Sequence, residues 1–516
     1  MNEIRPASQD RLVLYVASIV SSLVMLDSNV VAVALPTIAR SLNADFSSLQ
    51  WVITAYVLPF SALLLAAGAW ADIYGRKKAV LLGLAIFALA SLACGIAGSA
   101  LMLNVARAFQ GIGASMLLTA TLAVINHQFH GPERAKAYAF WGACLGIAIT
   151  CGPVIGGLVS SYWGWNWVFL INLPICALLM VAAHKVVPES RSPVAKRLDY
   201  VGVGTFSTGL FLLTWALIDG NALGWTSLSI LIRMGAGVTL LVAFYIVESI
   251  QTDPMVDFNM LATRKFIGSA CAMLGYSGAA QVMIFYLPIF LQNTYGFAPA
   301  QAGLAMLPFA FPMFLIPKMG GGLARKFSAK TMLIMGLLVS TSANILMAFC
   351  TSINGSYGVF AIAMLWAGVG AGLLNGETAK VLQGAIPPER AGMGSGISAT
   401  VRFMGLLFSV AGLGALMGQV TEQRFAASAA ASGLTAESAH AMVKAFLAGD
   451  AGSGIGSSLS AYHASLHQAF DAGFGTMAGA SGGVGLLALL LVLIIYPAAD
   501  AKSANRARDH SVVPGE

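Results

Sequence analysis

Asp27, Arg107, Glu377 and Arg402 stand inside long apolar stretches, and they are the residues best able to do chemistry. A charge at the centre of a membrane helix costs roughly 2.5–3.5 kcal/mol on insertion scales. Each therefore needs a partner or a task. A carboxylate held in a low-dielectric bundle can carry a proton in one state and a cation in another. Asp27 lies about 15 residues into its apolar stretch, roughly 22 Å deep at 1.5 Å per residue. Arg107 lies about 6 residues into a stretch entered from the other side, which brings it to a similar depth. The two can meet directly or through water. Glu377 and Arg402 flank the same short connection, so their depths also match. Lys380 competes with Arg402 for Glu377, because i,i+3 spacing on one helix also allows an ion pair. Asn29, Gln281 and Asn375, with Tyr56, Tyr276 and Phe285, are candidates to line a cavity. Each has an ordinary alternative, as an interhelical hydrogen bond or as packing.

The elements that position these residues follow from composition. The chain has 516 residues, 58% hydrophobic and only 9% Asp, Glu, Lys or Arg. Soluble domains carry about 25% charged residues, so a soluble fold of this size is excluded. A bilayer core about 30 Å thick takes roughly 20 apolar residues per helix. Fourteen segments meet this, from 12–33 to 473–497. Their apolar runs are continuous, where barrel strands would alternate. The expected fold is an all-α membrane protein. With the N-terminus in the cytoplasm, inner segments hold 22 Lys and Arg and outer segments hold Arg40, Arg424 and Lys444 alone. This bias predicts a multi-pass protein with both termini cytoplasmic. The first apolar run is too long for a cleavable signal. The net charge of +7 is then a property of cytoplasmic loops, with no nucleic-acid partner.

Three local patterns suggest moving parts. GAWADIYGRKK (68–78) closes the second span; Gly75 permits a tight turn, and Asp72 can pair with Arg76 or a neighbouring helix. GGGLARKFSAK (320–330) sits eight spans later, as in a duplicated bundle. GACLGIAITCGPVIGG (142–157) holds two G-x-x-x-G pairs, Gly142/Gly146 and Gly152/Gly156, around Pro153. Such glycines let helices approach closely and the proline bends the helix. The polar stretch 188–199 reads as a connector. The stretch 419–471 reads as one long outer loop, with a short amphipathic helix in LTAESAHAMVKAFLAG (434–449) and mobile Gly/Ser/Ala-rich ends. The residues after Pro497 read as a basic tail.

Together these motifs resemble the major facilitator superfamily, in particular its fourteen-span drug:proton antiporters. LDSNVVAVALPTIA (26–39) is similar to that group's first-span signature, with Asp27 in the acidic place. RAFQGIGAS (107–115) is similar to the fourth-span motif, with Arg107 as its basic residue. GAWADIYGRKK resembles the loop motif, GACLGIAITCGPVIGG the antiporter motif, and WGWNWVFLINLP (163–174) a subfamily signature. Arg325, Asn166 and Glu377 depart from the usual pattern.

The resemblance implies a major facilitator fold of two six-helix bundles plus two inserted spans. The expected division is 1–190 for the first bundle, 191–262 for a linker with two spans, and 263–516 for the second bundle, outer loop and tail. It implies a monomer in the plasma membrane that works by alternating access. Asp27, Glu377 and Arg107 are expected in proton coupling. Asp27, Glu377, Asn29, Tyr56, Tyr276, Gln281, Phe285 and Asn375 are expected at the substrate. Asp72, Gly75, Arg76, Gly152, Pro153, Gly156 and Arg402 are expected in gating or structure. The expected activity is proton-coupled export of amphipathic, cationic drugs; the alternative is a dedicated exporter or symporter of one metabolite. The chain lacks a G-x-x-x-x-G-K-[ST] motif, so ATP-driven transport is not expected. His127, His130 and His184 are dispersed and the six cysteines lie apart in apolar stretches, so no enzyme, metal or cofactor is expected.

Overall fold

A computed structural model describes residues 7–42, 44, 46–129, 131–191, 199–251, 258–386, 391–431, 434–447 and 456–497. Most of the connector, 192–198, and the tail from 498 lie outside the described residues, as do side chains 317–326 of the second loop motif. Among the described residues all regular structure is helical.

The first half comprises α1 (Ala7–Leu42), α2 (Phe46–Tyr74), α3 (Arg76–Gly95), α4 (Ala100–Gln128), α5 (Gly131–Tyr162), and the broken pair α6 (Asn166–Leu170) and α7 (Asn172–Val186). A hairpin follows, α8 (Tyr200–Leu223) and α9 (Leu228–Ile250), then a short α10 (Phe258–Leu261). The second half starts with α11 (Arg264–Tyr276), a π-turn (Ser277–Gln281) and α12 (Met283–Tyr295). It continues through α13 (Pro299–Ala305), α14 (Leu307–Lys326), α15 (Ala329–Ser352), α16 (Tyr357–Gln383), α17 (Ala391–Ala431), α18 (Ala436–Leu447) and α19 (Gly456–Ile495).

Among the described residues, thirteen spans are long and apolar enough to cross a membrane. Pro299–Ala305 and Leu307–Ile316, bent by 41°, make a fourteenth. The halves meet through α1 against α12 and along two seams, α2 against α17 and α5 against α13 and α14. Numbered as spans, these are 2 with 13 and 5 with 10. Adding eight to 2 and to 5 exchanges the seams, as a two-fold relation between halves requires. The α8–α9 hairpin lies beside this core, with α8 on α2 and α17.

The end of the bundle that carries Arg76, Lys77 and Lys330 is called here the basic end. There the turn after α2 is held by three contacts. Arg76 donates to Asp72 from Nε at 3.1 Å and Nη2 at 2.8 Å. The Arg76 amide donates to the Ser190 carbonyl at 3.0 Å. Lys77 donates to the His184 carbonyl at 2.5 Å. Gly75 has φ +121°, and a Cβ there would collide with the Glu189 carboxylate. Gly75→Ala is therefore expected to cost about 1–3 kcal/mol, read as a lower melting temperature of the purified protein in lipid. An unchanged melting temperature would mean that this turn carries no strain-sensitive contact.

At the opposite end the loop expectation for 419–471 needs correction. α17 continues to Ala431 and α19 begins at Gly456. At 1.5 Å per residue each is about 60 Å long, twice the bilayer core. The small residues that suggest a loop, AASAAA at 426–431, are alanine-rich, and alanine has the highest helix propensity. The expected amphipathic helix is present as α18 and packs on both long helices. Phe446 meets the rings of His467 and Phe470 at 5.0 and 5.8 Å, and His440 Nδ1 lies 2.6 Å from Glu422. The segments 432–433 and 448–455 lie outside the described residues.

Candidate functional site: a central cleft and a walled ion pair

Asp27 and Arg107 meet in the interior of the first half. Arg107 Nη1 lies 2.6 Å from Asp27 Oδ2, and Arg107 and Asp27 are 1% and 2% exposed respectively. Burying two charges requires that their remaining hydrogen-bonding capacity be met. Gln110 Nε2 and Asn172 Nδ2 donate to Asp27 Oδ1 at 2.9 and 2.7 Å. Arg107 also donates to the Val52 carbonyl at 3.1 Å and to Gln110 Oε1 at 2.6 Å. Ser91 accepts from Gln110 at 2.9 Å. Spans 1, 3, 4 and 6 each contribute a side chain, and span 2 contributes a carbonyl. The matched depths of Asp27 and Arg107 thus produce a direct pair.

Tyr56 from α2 covers this network. The Arg107 guanidinium carbon lies 4.1 Å from the centre of the Tyr56 ring, a cation–π distance. The Tyr56 hydroxyl donates to the Val24 carbonyl at 3.2 Å. Tyr56 also lines a narrow cleft between the halves. The first half lines it with Met25, Ser28, Asn29, Tyr56, Phe60 and Ile149, and the second with Gln281, Ile284, Phe285, Arg402, Phe403 and Leu406. Phe60 and Phe403 touch across it edge to face, with centroids 4.5 Å apart.

The expected substrate residues divide. Asn29, Tyr56, Gln281 and Phe285 line the cleft as anticipated. Asp27 is behind Tyr56 and does not line it. Tyr276 is fully buried and supports Arg402, and Asn375 accepts from the Tyr276 hydroxyl at 3.0 Å. Glu377 does not line the cleft either, and it does not pair with Arg402. Its partner is Lys380, 3.3 Å away one turn along the same helix. The local pair prevails because α16 alone sets its geometry, while the Glu377–Arg402 pair would need two helices rotated toward each other. Arg402 donates instead to Gln281 Oε1 at 3.1 Å and to the Tyr276 hydroxyl at 3.2 Å. The expectation of a cationic substrate rested on Asp27 and Glu377 facing the cavity; among the described residues the charge that lines it is Arg402.

The glycines of α5 also divide. A Cβ on Gly152 would strike the Asn29 side chain, and one on Gly156 the Val30 carbonyl, so this pair lets α5 lie against α1. Gly142 has open space around it and Gly146 an ordinary contact with Phe314, so the other pair makes no comparably close approach. Pro153 lies within α5, and its carbonyl is where a Cβ on Gly303 of α13 would fall.

Sequence reasoning missed Gln110, Asn172, Ser91, Phe60 and Phe403. Gln110 stands one turn after Arg107 in RAFQGIGAS, and Asn172 closes WGWNWVFLIN. Reading both motifs for neutral amides as well as charges finds them. A separate pocket opens at the opposite end of the second half. Thr294, Tyr295, Asn354, His467 and Asp471 line it, and Thr294 donates to Asp471 at 2.6 Å. It touches neither Asp27 nor Arg402.

Known proteins resemble this chain in sequence and in fold. The chain is 31% identical over 396 residues to multidrug resistance protein Stp of Mycobacterium tuberculosis, covering 77% of this chain and 73% of that one. It is 32% identical over 395 residues to the methylenomycin A resistance protein of Streptomyces coelicolor, covering 76% and 82%. Among solved structures, a bacterial homologue of the human lysosomal transporter Spinster, inward-facing and unoccupied, superposes with a TM-score of 0.64. That match has 16% identity and covers 96% of this chain and all of that one, and it speaks to fold alone. The family model of the Major Facilitator Superfamily matches residues 17–410. With those relatives and fourteen spans arranged in two halves about a cleft, the chain belongs to the Major Facilitator Superfamily of membrane transporters.

Proposed function

We propose that this protein exports amphipathic compounds from the cytoplasm across the plasma membrane, exchanging them for protons by alternating access, with both termini cytoplasmic. One observation carries this reading: Tyr56 is a wall of the cleft on one face and the cover of the Asp27–Arg107 pair on the other. A compound that fills the cleft presses on Tyr56. That contact holds the ring over Arg107 and keeps Arg107 on Asp27, whereas a proton on Asp27 frees Arg107 and lets the ring move into the cleft. Substrate and proton then compete through one side chain, without sharing a binding position. Compound release and proton entry follow when the halves part at the opposite end.

The aromatic and methionine lining from Met25, Phe60, Phe285 and Phe403 suits apolar bodies of varied shape, as promiscuous binders require. The resistance and multidrug names of the relatives agree with export of foreign compounds. Everted vesicles with an acid interior test the reading. Adding amphipathic dyes should discharge the pH gradient in vesicles that contain the protein, and a protonophore should stop dye uptake. Dye uptake that persists unchanged with the protonophore would defeat proton exchange.

A further inference from the structure

We infer that Arg402 is the charge-recognising residue of the cleft, and that the preferred cargo is an amphipathic compound bearing an acidic group such as a carboxylate or phenolate. This rests on the export reading above and specifies its substrate class. Arg402 lines the cleft, and among the described residues it has no carboxylate partner. Its hydrogen-bond partners are neutral, the Gln281 amide oxygen and the Tyr276 hydroxyl. Its guanidinium carbon also lies 5.1 Å from the Tyr276 ring centre and 5.8 Å from that of Phe403. An arginine within a membrane bundle ordinarily pairs with an acid, as Arg107 does with Asp27 at 2.6 Å and Arg233 with Asp219 at 2.8 Å. Arg402 departs from that pattern at the surface where cargo must sit.

The posture of Arg402 is set in advance. Asn375 holds the Tyr276 hydroxyl, Tyr276 and Gln281 hold the guanidinium, and Ser277 donates to the Arg402 carbonyl at 2.8 Å. Gln281 ends the π-turn Ser277–Gln281, a local widening that turns its amide toward the cleft. Such π-turns recur at functional sites. Nε and Nη2 are committed, while Nη1 has no hydrogen-bond partner among the described residues. A planar guanidinium with free N–H groups recognises a carboxylate or phenolate oxygen well. The opposing wall of Tyr56, Phe60 and Ile149 would take the apolar body.

The test uses three xanthene dyes of similar size, one a fluorescein carboxylate, one an uncharged ester and one a rhodamine cation. Thermal stabilisation of the purified full-length protein reads binding without reference to protons. The carboxylate dye should bind at least about tenfold tighter than the cation, at a cost of about 1.4 kcal/mol when the preference is lost. Arg402→Gln should abolish that preference while leaving the uncharged dye unaffected, and Arg402→Lys should keep part of it. Equal or tighter binding of the cation by the wild type, or an acid preference that survives Arg402→Gln, overturns the inference. If Arg402→Gln is misfolded by gel filtration, the Arg402→Lys comparison decides alone: an unchanged acid-to-neutral ratio overturns the inference and a reduced one supports it. Acid-selective binding without proton-driven uptake would sink the exchange mechanism and leave this inference standing.

Discussion

Asp27→Asn is expected to abolish export driven by a pH gradient and also to destabilise the protein. The substitution keeps the size of the side chain and removes its charge. Arg107 is then a buried cation with no counter-charge, and the introduced amide has a donor where the carboxylate had a second acceptor. Breaking one member of a buried pair costs about 3–5 kcal/mol. The Gln110 and Asn172 amides that donate to Asp27 lose part of their match as well. Neutralising both partners, as Asp27→Asn with Arg107→Gln, should recover much of the stability, because no charge is then left unpaired. It should not recover proton-driven export, since the group proposed to take the proton is gone. Melting temperature and vesicle proton flux separate these outcomes. Full gradient-dependent export by Asp27→Asn would remove Asp27 from the coupling step.

The second large effect is expected at the α5–α13 seam. A Cβ on Gly157 would fall on the Pro299 carbonyl, and one on Gly303 on the Pro153 carbonyl. The Ala300 amide donates to Ser161 Oγ at 2.9 Å beside them. These contacts join the halves at the opposite end, so they exist only while that end is closed. Gly157→Val should therefore penalise the closed arrangement more than either bundle. Overpacking costs about 1–3 kcal/mol, which changes the ratio of conformers by about 5- to 150-fold. In a variant lacking the native cysteines, Asn29→Cys in the cleft should become more reactive to a membrane-impermeant thiol reagent applied from the opposite face. Gly156→Val is the contrast. It meets Val30 within the first half, so it should lower stability without raising that labelling. Unchanged or slower labelling in Gly157→Val would show that the seam does not govern closure.

Glu377 and Arg402 show where sequence reading stops. Their distances from the connecting loop match, and depth alone makes them partners. Helical azimuth decides otherwise: Glu377 meets Lys380 on its own helix, and Arg402 meets span 9 through Tyr276 and Gln281. Asp27 and Arg107 have the same kind of depth match, and there the azimuths agree. The loop glycine Gly75 needed no azimuth, because a tight turn followed by a basic cluster is a local property of the chain.

The amino-acid sequence by itself determined the number of spans, which loops carry the basic residues, the depth of each buried charge and the turn at Gly75. These are quantities along the chain, set by apolar run length, Lys/Arg distribution and the fixed rise of the helix. Only the tertiary structure decided which charge faces the cleft, that Tyr56 separates Asp27 from it, and that the long loop is a pair of extended helices. In a membrane helix the lipid-facing and protein-facing sides are both apolar, so hydropathy carries little signal for rotation about the axis. That rotation is set by the close packing of neighbouring helices, and the rotation of α17 is what puts Arg402 at the cleft.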